Sequence, residues 1–258
     1  VARSYFNKME WYIVLALLGT GIISGFINVN AGGGSMLAMP LLMFIGLPAN
    51  VANGTLRIAI FLQNVISVQS FRKNKVLDVK TDYRLAIPTV AGALFGALFA
   101  VEIKVDLLEK IIAVLMVFMF LLIVLKPGAW LKERVGQTKA KPTVFQYFIF
   151  FLIGLYGGFI QMGVGFFFLA GLVLCCGHNL VRANAIKVFI VLIYTTFTVG
   201  IFIWNKQVDI TAGLILAAGN MLGAWLGVRF AVKKGAKYVR YVLIFAMFVV
   251  ILNLFGLF

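Results

Sequence analysis

Residues 28–48 read Asn28-Val29-Asn30-Ala31-Gly32-Gly33-Gly34-Ser35-Met36-Leu37-Ala38-Met39-Pro40-Leu41-Leu42-Met43-Phe44-Ile45-Gly46-Leu47-Pro48. The glycine triplet closes an apolar stretch that begins near Trp11, and the next apolar stretch, 36–47, stops at Pro48. About 12 residues at a rise of about 1.5 Å reach roughly 18 Å, well short of a hydrocarbon core of roughly 30 Å. In a membrane such a segment is re-entrant or broken. Irregular backbone at that depth survives only where protein or a watery cavity covers it. A permeation path is therefore expected beside residues 28–48.

The rest of the chain supports a membrane setting. Of its 258 residues 63% are hydrophobic and 12% are charged, and the mean hydropathy is +1.06. Soluble domains are about 45–50% apolar and about 25% charged, so a soluble or disordered chain is excluded. Charges and Gly/Pro breaks bound ten apolar segments: 11–29, 36–47, 51–71, 85–101, 107–125, 144–162, 166–177, 183–204, 210–230 and 239–257. Most approach the roughly 20 residues of a spanning helix. The second and the seventh do not. No cleavable signal peptide is expected, since the first segment is too long for a signal h-region.

The order long, short, long, long, long occurs twice, and weak identities keep register with it. Gly25-Phe26-Ile27 matches Gly158-Phe159-Ile160, and Gly32 then falls on Gly165. Val51-Ala52-Asn53 matches Arg182-Ala183-Asn184, and Gly92/Gly96-Ala97 matches Gly219/Gly223-Ala224. An internal duplication is expected: a first repeat over 1–125, a linker over 126–142 and a second repeat over 143–258. Lys and Arg collect in cytoplasmic loops. The clusters around Arg72–Arg84, Lys126–Lys141 and Arg229–Arg240 therefore read as cytoplasmic, and the short loops at 102–106 and 206–209 as external. Each half then crosses an odd number of times, which makes the repeats inverted. The same parity holds for ten thin crossings and for six crossings plus two hairpins. The expected fold is an all-α polytopic membrane protein of two inverted repeats, about five apolar segments each, with short re-entrant or broken helices near the midplane. Discontinuous helices in inverted repeats recur in transporters.

The net charge is +15, from 23 Lys and Arg against 8 Asp and Glu. Most of that excess is topological, so no nucleic-acid partner is expected. Every acid lies in a loop or at a segment end, whereas Arg57 and Lys187 lie inside apolar segments at nearly equivalent repeat positions. A charge at depth is costly and faces a partner or a cavity. With no acid beside either, an anionic substrate is the expected partner; the alternative is snorkelling to an interface. Asn28, Asn30, Gly32, Gly33, Gly34 and Ser35 precede one short segment, and Gln161, Gly163 and Gly165 precede the other. Glycines let backbone N–H groups converge, and a helix N-terminus adds about half a positive charge. Asn53 and Asn184 lie one turn from the cations, and all these residues form the candidate substrate site. Thr55, Gln63, Asn64 and Tyr194 are read first as groups that join helices.

Other chemistry is thinly represented. No Walker A run, HExxH, GxSxG or paired carboxylates occur, so neither an enzyme nor a cofactor is expected. His178 has no cluster of metal-ligating residues in sequence around it. Cys175 and Cys176 read as buried packing groups. The Gly92/Gly96 and Gly219/Gly223/Gly227 rows read as helix-packing faces, within one chain or across a homodimer.

These residues resemble the sulfite exporter TauE/SafE family over nearly the whole chain. The resemblance rests on Gly25, Gly32-Gly33-Gly34-Ser35, Met39-Pro40, Leu47-Pro48-Ala49-Asn50-Val51-Ala52-Asn53-Gly54-Thr55, Gly157-Gly158-Phe159, Gly163-Val164-Gly165 and Ala183-Asn184-Ala185-Ile186-Lys187. The second half departs from the first, with Phe166 and Phe167 where Gly33 and Gly34 would stand. The resemblance implies a multi-pass permease of the bacterial inner membrane for sulfur-containing anions such as sulfite, sulfoacetate or other organosulfonates. The residues themselves point to a small anion as partner, within a lipid bilayer. A secondary transporter working by alternating access is expected. Export is the expected direction, because a negative-inside potential favours an anion's exit by about 2.3 kcal/mol per charge per 100 mV. A passive anion channel and a non-transporting membrane subunit remain the alternatives.

Overall fold

A computed structural model describes residues 10–78, 83–108, 110–111, 142–235, 238 and 241. Most of the fifth apolar segment, nearly all of the linker and nearly all of the tenth segment lie outside the described residues.

The described chain is helical. α1 covers Trp11–Asn30, α2 Ser35–Phe44 and α3 Ala49–Lys73; a 3-10 turn, Tyr83–Leu85, leads into α4, Ala86–Glu102. In the second half α5 covers Val144–Phe159 and α6 Val164–Ala170, which runs on through a π-helical turn, Gly171–Cys175. α7 covers Leu180–Trp204 and α8 Ile210–Lys234. Among the described residues, five apolar helices are long enough to cross a membrane, α4 being counted with its leading 3-10 turn.

Local chemistry sets the ends. Thr143 and Gln146 form a capping box at the start of α5. Asn179 accepts from the Arg182 N–H and starts α7 three residues before its expected boundary. Asp209 caps α8 in the same way. Arg72 and Lys73 end α3, and Lys233 and Lys234 end α8, where cations suit the helix dipole.

Both short segments fold back on the helix before them. Gly34 lies four residues past the end of α1, yet a Cβ there would meet the Ser24 oxygen at 1.9 Å; Ser24 is six residues before that end. The second reversal is plainer. Tyr156 packs edge-on against Phe167, Phe150 packs on Phe168, and Gln146 Nε2 donates to the Cys175 carbonyl at 2.7 Å. α1–α2 and α5–α6 are therefore helical hairpins, not consecutive crossings. Gly32 (φ +84°) and Gly163 (φ +71°) make the turns in the left-handed region that favours glycine.

The halves interlock. α1 packs along α8 and α4 along α5, while α3 and α7 cross at the centre. The glycine rows supply the close approach. A Cβ at Gly219 or Gly223 would sit 2.3 or 2.0 Å from α1 oxygens, and at Gly92 or Gly96 2.1 Å from α5 oxygens. These rows are used within one chain. Gly96→Leu should therefore lower the melting temperature, by overpacking worth about 1–3 kcal/mol. Gly200→Ala, in the interior of α7 and with a Cβ that would meet nothing within 4 Å, should leave it unchanged or raise it slightly. Thermal unfolding in detergent reads both.

Candidate functional site

The hairpin tips touch through bare backbone. A Cβ on Gly32 would lie 2.3 Å from the Gly165 carbonyl carbon, and one on Gly165 would lie 2.4 Å from Gly32 Cα. Ser35 Oγ accepts from the Gly163 N–H at 2.9 Å, tying tip to tip. Phe166 is the partner of Gly33: its ring occupies the space that a Cβ on Gly33 would enter, at 2.2 Å. The departure of the second half from the glycine pattern is thus a fit between two unlike tips.

Each central helix holds the other half's tip. Lys187, buried on α7, donates from Nζ to the carbonyls of Asn28 at 2.7 Å and Val29 at 2.9 Å, and to Asn184 Oδ1 at 2.6 Å. Asn184 Nδ2 donates to the Asn30 carbonyl at 3.0 Å. Arg57, buried on α3, donates from Nη2 to the Gly158 and Phe159 carbonyls at 2.6 and 3.4 Å. Its Nη1 donates to the Gly157 carbonyl at 3.1 Å, Gln161 Oε1 at 3.2 Å and Thr198 Oγ1 at 3.3 Å. Asn53 Nδ2 donates to the Phe159 carbonyl at 2.9 Å, and its Oδ1 accepts from the Gln161 N–H at 3.3 Å.

These carbonyls are the C-terminal ends of α1 and α5. A helix C-terminus carries about half a negative charge without any acidic residue. Helix ends are therefore the internal partners of both cations. The pattern Asn53/Arg57 and Asn184/Lys187, each opposite a glycine break, was the available signal.

A small cavity with both polar and apolar walls opens against the tips. Its walls include Asn28 and Ser35 from the first tip, Gln161 and Gly165 from the second, and Lys187 from α7. Gln63 and Asn64 of α3 complete its polar lining, although sequence reasoning set them aside as helix-joining groups. The centre of a water-sized sphere has about 20 Å³ of freedom there, and an ordered water needs roughly 10–15 Å³ on that measure. Asn28 Nδ2 donates to Gln63 Oε1 across it, at 3.2 Å.

The other expected site residues lie behind these walls. Asn30, Gly32, Gly33, Gly34 and Gly163 build the tips, and Asn53, Asn184 and Arg57 clamp them. Thr55 and Tyr194 join helices as expected: Thr55 Oγ1 accepts from the Asp209 N–H at 2.9 Å, and the Tyr194 hydroxyl accepts from Gln161 Nε2 at 3.0 Å. His178 lies in the turn before α7, apart from the cavity. Burial first, then the nearby Arg182 charge, pushes its imidazole below the usual value, which favours the neutral form. Cys175 is exposed and Cys176 is partly so, which corrects their reading as fully buried packing groups: the π turn brings the end of the hairpin to the surface.

Residues 17–254 match the family model described as "Sulfite exporter TauE/SafE". The chain is 29% identical over 238 residues to "Probable membrane transporter protein ORF9" of Sinorhizobium sp, covering 92% of this chain and 90% of that protein. It is 30% identical over 229 residues to "Probable membrane transporter protein YfcA" of Escherichia coli (strain K12), covering 87% and 82%. A "Probable membrane transporter protein" of Haemophilus influenzae is 23% identical over 228 residues, covering 88% and 89%. No solved structure matches the chain significantly.

Proposed function

Since the chain belongs to the sulfite exporter TauE/SafE family, it is a multi-pass transporter of the bacterial inner membrane, and we propose that it carries a small sulfur-containing oxyanion, such as sulfite or an organosulfonate, by alternating access. The observation that carries this reading is the cavity between the hairpin tips. Its polar lining is the Lys187 ammonium, the Ser35 hydroxyl and the amides of Asn28, Gln63, Asn64 and Gln161. No carboxylate is among the residues lining it. Ammonium, hydroxyl and amide N–H groups suit the several acceptor oxygens of a sulfite or sulfonate group.

Lys187 already donates three hydrogen bonds, which is all that an ammonium has. An arriving anion therefore displaces either an α1 carbonyl or Asn184 Oδ1, itself part of the clamp on the α1 tip, and loosens that tip as it binds. The cavity has room for little more than a water, so substrate entry also has to move its walls. Both features suit a carrier better than an open channel. An inverted repeat supplies the second state. The exchange of partners supports that reading: α3 clamps the α5 tip with Asn53 and Arg57, and α7 clamps the α1 tip with Asn184 and Lys187. With the basic loops on the cytoplasmic side, the α1–α2 hairpin enters from outside and the α5–α6 hairpin from inside. The energy source is the anion's own charge in the membrane potential, which favours export.

Proteoliposomes loaded with sulfite, thiosulfate, sulfoacetate or sulfate test the proposal, with and without an imposed potential. Saturable flux of a sulfur oxyanion, accelerated by substrate on the far side, is expected. Large unitary currents would instead identify a channel. Absence of flux for every anion, with a fixed protein partner co-purifying, would identify a non-transporting subunit.

A further inference from the structure

Arg57 is left over by the cavity site. It is as deeply buried as Lys187, yet it does not line that cavity. Its Nη groups are bonded to the α5 tip, but its Nε–H is buried without a hydrogen-bond partner. An unpaired buried donor on a charged group is costly to maintain. Nε–H and the neighbouring Nη2–H form the edge of a guanidinium that grips an oxyanion with two parallel bonds. Nη2 has a bond to spare for that purpose, the long one of 3.4 Å to Phe159. Phe202 covers the group, with its ring centre 4.3 Å from the guanidinium carbon.

The surroundings match those of the cavity, on the other side of the tip contact. Aligning Asn53 with Asn184 sets Gln63 on Tyr194 and Phe71 on Phe202. The tip register sets Asn28 on Gln161. The bond from Asn28 to Gln63 then has its counterpart in the bond from Gln161 to Tyr194. Phe71, like Phe202, is fully buried. The external half is packed shut where Phe202 and the Gln207 carbonyl press on Gly54, and where the Asp209 N–H meets Thr55.

We propose that Arg57 is a second anion position, on the external side of the tips, taken up on its Nε–H/Nη2–H edge when Phe202 swings away. The Thr198 hydroxyl, which accepts from Nη1, keeps its own proton to donate to the anion. The substrate then passes from Lys187 to Arg57 across the Gly32–Gly165 contact. This inference rests on the carrier reading above.

Membrane vesicles of each orientation, given radiolabelled sulfite, measure KM from either face. Arg57→Lys keeps the charge, removes Nε–H and replaces the Nη fork that holds the α5 tip by a single ammonium. It should raise the external-face KM at least roughly tenfold, the loss expected for one hydrogen bond to a charged group, and raise the cytoplasmic-face KM by clearly less, through the Gln161 that both sides share. Phe202→Leu leaves every Arg57 hydrogen bond in place. It keeps the test open if the lysine variant does not fold, and should speed uptake from the external face alone. Equal changes at both faces, or none in either folded variant, would overturn the second position and leave the carrier intact. Wild-type vesicles with no flux of sulfite, thiosulfate, sulfoacetate or sulfate from either face would overturn both.

Discussion

Lys187→Met should abolish anion flux and lower the stability of the protein by about 2–4 kcal/mol. The stability part follows from three acceptors that lose the ammonium at once: the Val29 carbonyl, Asn184 Oδ1 and the Asn28 carbonyl, which keeps only the Gly32 N–H. A buried group left unpaired costs about 1–3 kcal/mol. Removing the ammonium also removes its desolvation penalty, which offsets part of the sum. The flux part follows from charge. Lys187 is the cation lining the cavity, and without it an anion there meets only amides, a hydroxyl and apolar walls.

Asn184→Ala separates the two effects. It deletes one acceptor of Lys187 and the donor to the Asn30 carbonyl, but it keeps the ammonium. It should destabilise by a similar amount and retain measurable flux. Lys187→Arg keeps the charge, but a planar fork fits three acceptors gathered around one Nζ poorly; intermediate flux is expected. Flux into proteoliposomes and thermal unfolding of the same preparations give both readouts. Wild-type flux in a folded Lys187→Met variant would remove the ammonium from the substrate's path.

The hairpin geometry explains which features were legible. The length of segment 36–47 and the triplet Gly32-Gly33-Gly34 mark α2 as too short to span, because the rise per residue and the bilayer thickness are fixed quantities. Direction is a different matter. A reversed α2 and a continuing one give the same loop parity, so charge counting has no power to choose between them. The contact of Gly34 with Ser24 does choose. Arg57 and Lys187 stand out because each is a charge in an apolar segment. Their partners do not stand out, since a helix end contributes a half charge with no residue letter attached to it. The same holds for non-local fits. Phe166 looks like a broken repeat along the chain, and becomes the filler of the Gly33 space once the tips meet. Gln63 and Asn64 read as helix glue on α3, and only the crossing of α3 with α7 turns them toward the cavity.

The second large effect is expected at the tip contact itself. Gly165→Ala puts a Cβ 2.4 Å from both Gly32 Cα and the Gly32 oxygen. These are backbone atoms of a turn, with no side chain to rotate away, so the tips must separate. Overpacking of this kind costs about 1–3 kcal/mol. Gly32→Ala adds the penalty of a left-handed φ of +84°, about 1–2 kcal/mol for a residue with a Cβ, and should be the less stable of the two. Separation also moves Ser35 and Gln161, which line the cavity from opposite tips, so flux should fall at least about tenfold, the effect of roughly 1.4 kcal/mol. Gly33→Ala supplies the contrast. The three atoms nearest its Cβ would all belong to the ring of Phe166, a side chain that can be shortened. The double variant Gly33→Ala/Phe166→Leu should therefore recover flux that Gly33→Ala loses, whereas Phe166→Leu should not rescue Gly165→Ala. Recovery in both double variants would mean that the tips are held apart by Phe166 alone, and that the Gly32–Gly165 backbone contact does not set the geometry of the site.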